Sequence, residues 1–497
     1  MTTWYVRPNI SHSGTRNGTS YATAWGGWSE IVWGVGGVRQ DDTLYVCGTH
    51  ARSATVDVGN HLGTSGHPCT IRGDYPGDPG SFVFTGAYFF NNYRSYTTLH
   101  ALTFVGGTSN CVYGSGTLAG MTFQDCTFVA AAKSALSFGS GNGTSYTDIL
   151  IDGCTFTGDC RDGATTTGAI NWFVATAAAV SVITRMTITN NTFRDLFTGR
   201  AAIHFRVDTG AGVATAMHDV VVTGNTFTRM YGIGIELSNG FSTYGTSDGL
   251  IVSHNTFTDL YEVIGVAGLG GCIRVWGFVA SAALGRPLIE HNYGERAQGA
   301  TGLVNVFWGA YTVRRNIGRE FSTTGVDANG ITFDFGVDDA IAYQNEFYDL
   351  PGRAGIFNSG VGIMVLDSQN VTCWGNLTVR CKVGVHIGAG PTAQSCSIVG
   401  NTFIDCSLYG IDLLSTADEA NCVVKNNVFT AASGTAVSVR NAGGAWSGDD
   451  YNAFHGFAAA SGHTLGAHDV TSDPLLSPSY RPLPGSPLIG AGTYIAD

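Results

Sequence analysis

Residues 186–193 read MTITNNTF, residues 220–227 VVVTGNTF and residues 250–257 LIVSHNTF. In each, every second residue of the opening run is apolar, an asparagine interrupts it, and Thr-Phe restarts it. Alternation of period two marks a strand with one buried face, and asparagine tolerates the bent backbone of a turn. The phrase predicts strand, turn, strand. Further copies are MTFQDCTF (121–128), ILIDGCTF (149–156), LIEHNYG (288–294), TVRRNIG (312–318), IAYQNEF (341–347), VTCWGNLTV (371–379), SIVGNTF (397–403) and VVKNNVF (423–429). The turn asparagines are Asn191, Asn225, Asn255, Asn292, Asn316, Asn345, Asn376, Asn401 and Asn427. They lie 24 to 37 residues apart, which suits one solenoid coil with loops of variable length. Cys126 and Cys154 hold the turn position in the first two copies, where a thiol stack is expected ahead of a disulfide.

A third strand precedes each phrase. The copies are ALSFG (135–139), AINWF (169–173), AIHFR (202–206), GIELS (234–238), CIRVW (272–276), LVNVF (303–307), GITFD (330–334), GIMVL (362–366), GVHIG (384–388), GIDLL (410–414) and AVSVR (436–440). The second and fourth residues of every copy are apolar, so they face a core and the third and fifth face outward. Three strands per coil, stacked in register, make an all-β parallel solenoid of about eleven or more coils.

Composition agrees with this reading. The chain has 70 glycines and only 12% charged residues in 497, enough apolar residues for a long core and many tight turns. A formal charge of -12 argues against a nucleic-acid partner. No apolar run reaches the length of a membrane span. Residues 1–20 lack the charged start and apolar stretch of a signal peptide. Export after removal of a leader, or release by lysis, is expected instead. The twelve cysteines show no short metal-ligand spacing and read as core thiols.

The repeat resembles the pectate-lyase-like superfamily of right-handed parallel β-helix proteins over nearly the whole chain. YVRPN with GTRNGTSYATAW, DDTLYVCGTH and CTIRGDYPGDPG resembles its N-terminal lead-in, and DPLLSPSYRPLPGSPLIGAG its C-terminal cap. The resemblance implies an N-terminal cap with first coils at 1–95, a β-helix at 96–445 and a cap at 446–497. It also implies an extracellular or virion-surface protein that binds polysaccharide along one sheet, similar to secreted polysaccharide-degrading enzymes and phage tailspike depolymerases. A homotrimer and a monomer both fit.

The outward columns of the third strand show what such a groove could hold. Its middle coils carry Asn171, His204, Arg206, Glu236, Arg274, Trp276, Asn305, Phe307 and Asp334. Flat rings stack on sugar faces, while arginines and amides bind hydroxyls or carboxylates. We therefore expect Arg206, Arg274, Trp276, Asn305, Phe307 and Asn171 to bind substrate, with loops at 207–219, 239–250, 262–271 and 277–287 as walls. Glu236, stacked between His204 and Arg274, is the most conspicuous acid. Asp334 lies three coils on, roughly 14 Å at ~4.8 Å per coil, beyond the about 5–9.5 Å of an acid pair in glycoside hydrolysis. Asp327 in the turn before it is a nearer partner, with Asp338 and Asp339 following. A hydrolase would draw on Glu236, Asp327 and Asp334. A lyase would use His204 as base and Arg206 or Arg274 to neutralise a uronate. A glycan-binding adhesin or virion spike would keep the aromatics and arginines but need no closely spaced acids. The columns leave room for calcium on Glu236, Asn171 or Asn305; no other cofactor is implied. Asp195, Asp259, Asp349 and Asp405 recur after the asparagine and read as structural turn residues.

Overall fold

The computed structural model describes the chain except residues 9–14, 60–62, 93, 115, 131, 140–143, 162–166, 175–180, 208–215, 239–246, 264–265, 267–268, 279–284, 323–326, 357–358, 389–394, 415–421, 432–436, 442–448, 457–464 and 494–497. The expected wall loops fall largely outside the described residues. Two compact units emerge, Met1–Ile251 and Val252–Asp497. Among the described residues there is no α-helix, and no helix long and apolar enough to cross a membrane.

Both units are parallel β-coils with three strand ladders. In the first unit, Ser145–Asp152, Val182–Thr189 and Ala216–Thr223 pair with Ile151, Ile188 and Val222 level. A second ladder sets Phe128, Phe156, Phe193 and Phe227 level. These rings stack with centroids 4.9, 4.8 and 4.6 Å apart, each pair contributing about 0.5–1.5 kcal/mol beyond its burial. The third ladder aligns Ile170, Ile203 and Ile235. In the second unit it runs through Gly271–Trp276, Val304–Gly309, Ile331–Val337, Val361–Val365, Val383–Ile387 and Tyr409–Leu413. The inward residues of these strands are fully buried.

The asparagine column is a continuous hydrogen-bond ladder within each unit. Each side-chain amide donates to the next coil's Oδ1 and to a backbone carbonyl, as from Asn345 to Asn376 at 2.9 Å and to the Val313 carbonyl at 2.9 Å. Buried amides paired on both sides cost the fold nothing in unsatisfied groups. The ladder runs one coil further than the sequence suggested, to Asn452, whose backbone N–H donates to Asp469 at 2.8 Å. At its other end the Cys154 N–H donates to Asn191 Oδ1 at 2.8 Å, and Cys126 and Cys154 are free, buried thiols. The recurring aspartates sit at left-handed turns and bind arginines of the next coil: Asp195 with Arg229, Asp259 with Arg296, Asp349 with Arg380.

Two expectations need correction. The last third strand is shifted by two residues: Asp412 lies level with Arg440, not Ser438. More importantly, the third-position column is not a solvent face. Ser137, Asn305, Thr332, Met364, His386 and Asp412 are all buried, and His204 and Glu236 completely so. Alternation fixes which side of a strand a residue takes, not whether other chain covers that side.

Candidate active site

In the first unit the expected site residues contact one another and a neighbouring arginine. His204 lies level with Asn171 before it and Glu236 after it. Its Nδ1 sits 2.9 Å from Asn171 Oδ1. Glu236 is gripped in bidentate fashion by Arg200, both contacts being 2.6 Å. Arg200 comes from the turn-proximal part of Thr192–Val207, outside the aligned five-residue strand. That carboxylate and guanidinium neutralise each other in a dry place, where an ion pair holds its geometry and is costly to break. Arg206 is half-buried, level with Ser238. A calcium at Glu236 or Asn171 would have to displace these partners. Among the described residues no group of three or more His, Cys, Asp or Glu side chains is placed to hold a metal.

The second unit is arranged differently. Arg274, Asn305 and Thr332 lie level in consecutive coils, as do Trp276, Phe307 and Asp334. The Arg274 guanidinium lies 4.7 Å from the Trp276 ring centre and 5.3 Å from that of Phe307, in cation–π range of both. Among the described residues Asn305 Oδ1 is buried without a hydrogen-bond partner. Asp327 stands in the turn before Ile331–Val337 with φ +74°, and its buried Oδ1 likewise has no partner among the described residues. Burial first, then the charge of Asp334, pushes the Asp327 carboxyl up to about 6. Asp334 is also pushed up to about 6, by burial first and further by Asp367, while the Phe335 backbone and Arg274 draw it down. Both carboxyls thus lie above the usual carboxyl range, burial being the larger cause in each.

Beside them opens a pocket of ≈ 280 Å³ lined by Trp308, Phe335, Gly336, Asp338, Asp367 and Gln369. Phe335 is 52% exposed and stacks on Phe307 at 5.9 Å. Trp308 and Phe335 are 6.3 Å apart.

A family model described as the right-handed β-helix region matches residues 92–317 and 291–452. The chain belongs to this right-handed β-helix family. No curated protein matches it. Among solved structures, this β-helix chain is similar to a mannuronic-acid-specific polysaccharide family 6 lyase from human gut microbiota, at 12% identity, 87% of both chains and a TM-score of 0.42. It is similar to a periplasmic alginate epimerase at 12% identity, 77% of both chains and a TM-score of 0.34. It is also similar to a lacto-N-biosidase from Eubacterium ramulus at 11% identity, 93% of this chain and 68% of that one, with a TM-score of 0.34. At such identities none of these activities carries over.

Trp308, Phe335 and Asp367 escaped the sequence reading of this β-helix for one reason. All three adopt positive φ, +43°, +50° and +46°. A left-handed residue breaks the alternation of a strand, so neighbours Phe307 and Trp308 join one ring cluster. The register of Phe307 and Gly309 against the next coil is irregular at that point.

Proposed function

We propose that the second unit carries the active centre of an extracellular enzyme that hydrolyses glycosidic bonds of a polysaccharide, with Asp327 and Asp334 as its catalytic acids. The observation that carries this is the pair itself: two carboxyls, both pushed up to about 6, beside an open aromatic pocket. Near that pH each carboxyl is present in both its protonated and its ionised form. Asp327, with an unpartnered buried oxygen, is the better proton holder. Asp334, drawn down by Arg274 and the Phe335 backbone, is the better carboxylate. Asp327 then protonates the departing glycosidic oxygen as its bond to the anomeric carbon breaks. Asp334 takes a proton from the attacking water, whose oxygen forms the new bond to that carbon. Trp308 and Phe335 supply ring faces for sugar stacking. On this reading Glu236 and His204 hold the first unit together, and residues 1–95 and 446–497 close the ends.

Digests of a panel of neutral and uronic polysaccharides test it. New reducing ends without the ultraviolet absorbance of unsaturated sugars are expected. Unsaturated ends would replace hydrolysis by elimination, and no product from any polymer would overturn the enzymatic reading.

A further inference from the structure

The pocket beside the acid pair has a charge character that bears on what enters it. Its lining offers two ring faces, Trp308 and Phe335, two carboxylates, Asp338 and Asp367, and the Gln369 amide. Among the described residues no Lys, Arg or His lines it. Asp338 Oδ1 accepts the Gln369 backbone N–H at 3.0 Å, which fixes this carboxylate at the rim, while Asp338 itself is exposed and ionisable. Asp367 lies close enough to Asp334 to raise it. The nearby cation, Arg274, lies over the Trp276 and Phe307 rings and already offsets Asp334. The charge of the described lining is therefore negative.

We infer that this pocket is a sugar subsite that admits an uncharged or amino-bearing ring and rejects uronic acids. The inference rests on the catalytic reading above and narrows its substrate class. A uronate brought onto the Trp308 and Phe335 faces places its carboxylate against Asp338 and Asp367, with no basic lining group to receive it. A hydroxyl or an ammonium on the ring instead finds carboxylate acceptors, and charge-assisted hydrogen bonds are the stronger kind. Like-charge juxtaposition is the usual physical means of rejecting a wrong partner.

The test compares glucose with two sugars that each differ from it in one group: glucosamine, with an ammonium at C2, and glucuronate, with a carboxylate at C6. Each is titrated into the full-length protein at neutral pH and low salt while tryptophan fluorescence is followed, since Trp308 lines the pocket. Glucosamine should bind tightest and glucuronate at least about tenfold more weakly, a difference of the size one like-charge contact produces. In Asp338→Asn, whose side-chain oxygen can still accept the Gln369 N–H, the spread should shrink to about threefold or less, and added salt should narrow it in the wild type as well. Glucuronate binding as tightly as glucosamine would overturn the inference, as would a spread unchanged in Asp338→Asn or an absence of binding by all three. Each result is independent of the catalytic reading, which is judged separately by whether Asp327→Asn stops polysaccharide cleavage.

Discussion

As sequence, the region around His204 and Glu236 in the first unit closely matches the region around Asp327 and Asp334 in the other. Each sets acids among aromatic and basic residues on a third-strand column. Folded, they are opposites. Glu236 has both oxygens on Arg200, and His204 has Asn171 at Nδ1. Asp327 and Asn305 keep buried oxygens without hydrogen-bond partners among the described residues, and a pocket lined by Phe335 and Asp367 lies near Asp334. A carboxylate gripped by a guanidinium stabilises a fold; carboxyls pushed up by burial near exposed rings are placed to act on another molecule.

The contrast can be broken in four places. The largest effect is expected from Asp327→Asn. Asparagine tolerates the left-handed backbone there, so the fold should persist while turnover falls about 10²–10⁴-fold, read from reducing-end release. Next is Glu236→Gln, which leaves the buried Arg200 without its counter-charge. It should cost about 3–5 kcal/mol, seen as an earlier denaturant midpoint, while activity per folded molecule stays within about threefold of wild type; retained stability would move Glu236 out of its structural role.

The third effect is on the pH dependence of stability. Asp327 and Asp334 have folded pKa values of about 6, above the unfolded value of about 4. The folded chain binds protons more tightly between those limits, so stability is greatest below the window and falls as pH rises through about 6. Replacing both with Asn should flatten that decline and raise stability at neutral pH by about 1–3 kcal/mol. An unaltered pH profile would mean the acids are not strained by burial. The smallest effect is Phe335→Ala: an exposed ring, so stability should change by less than about 0.5 kcal/mol. KM should rise about tenfold, near the ~1–3 kcal/mol range of a stacking platform; unchanged KM would remove the pocket from substrate binding.

Much of the fold was legible because it repeats. The asparagine column, the phenylalanine stack and the inward pairs each recur at coil spacing, so any single copy is checked by its neighbours. The last register slipped by two because long variable segments flank residues 437–441, and apolar residues at both 437 and 439 fit the inward pattern. The site was legible only in part. Asp327 and Asp334 stood out as a turn-and-strand acid pair, and Arg274, Trp276, Asn305 and Phe307 gather beside them. The burial of Glu236 and His204 and the Arg200 partner were not legible, because both depend on chain outside the aligned strand. Trp308, Phe335 and Asp367 stayed hidden because left-handed backbone set them off the period of two.

The most direct test of the account is a side-by-side assay of Asp334→Asn and Glu236→Gln on one polysaccharide that the wild type cleaves, with unfolding followed on the same samples. The account predicts at least about hundredfold lower turnover for Asp334→Asn with no loss of thermal stability, and for Glu236→Gln a lower Tm with turnover per folded molecule largely kept. Near-wild-type turnover in Asp334→Asn together with an inactive but stable Glu236→Gln would contradict it, and would move the chemistry to the first unit.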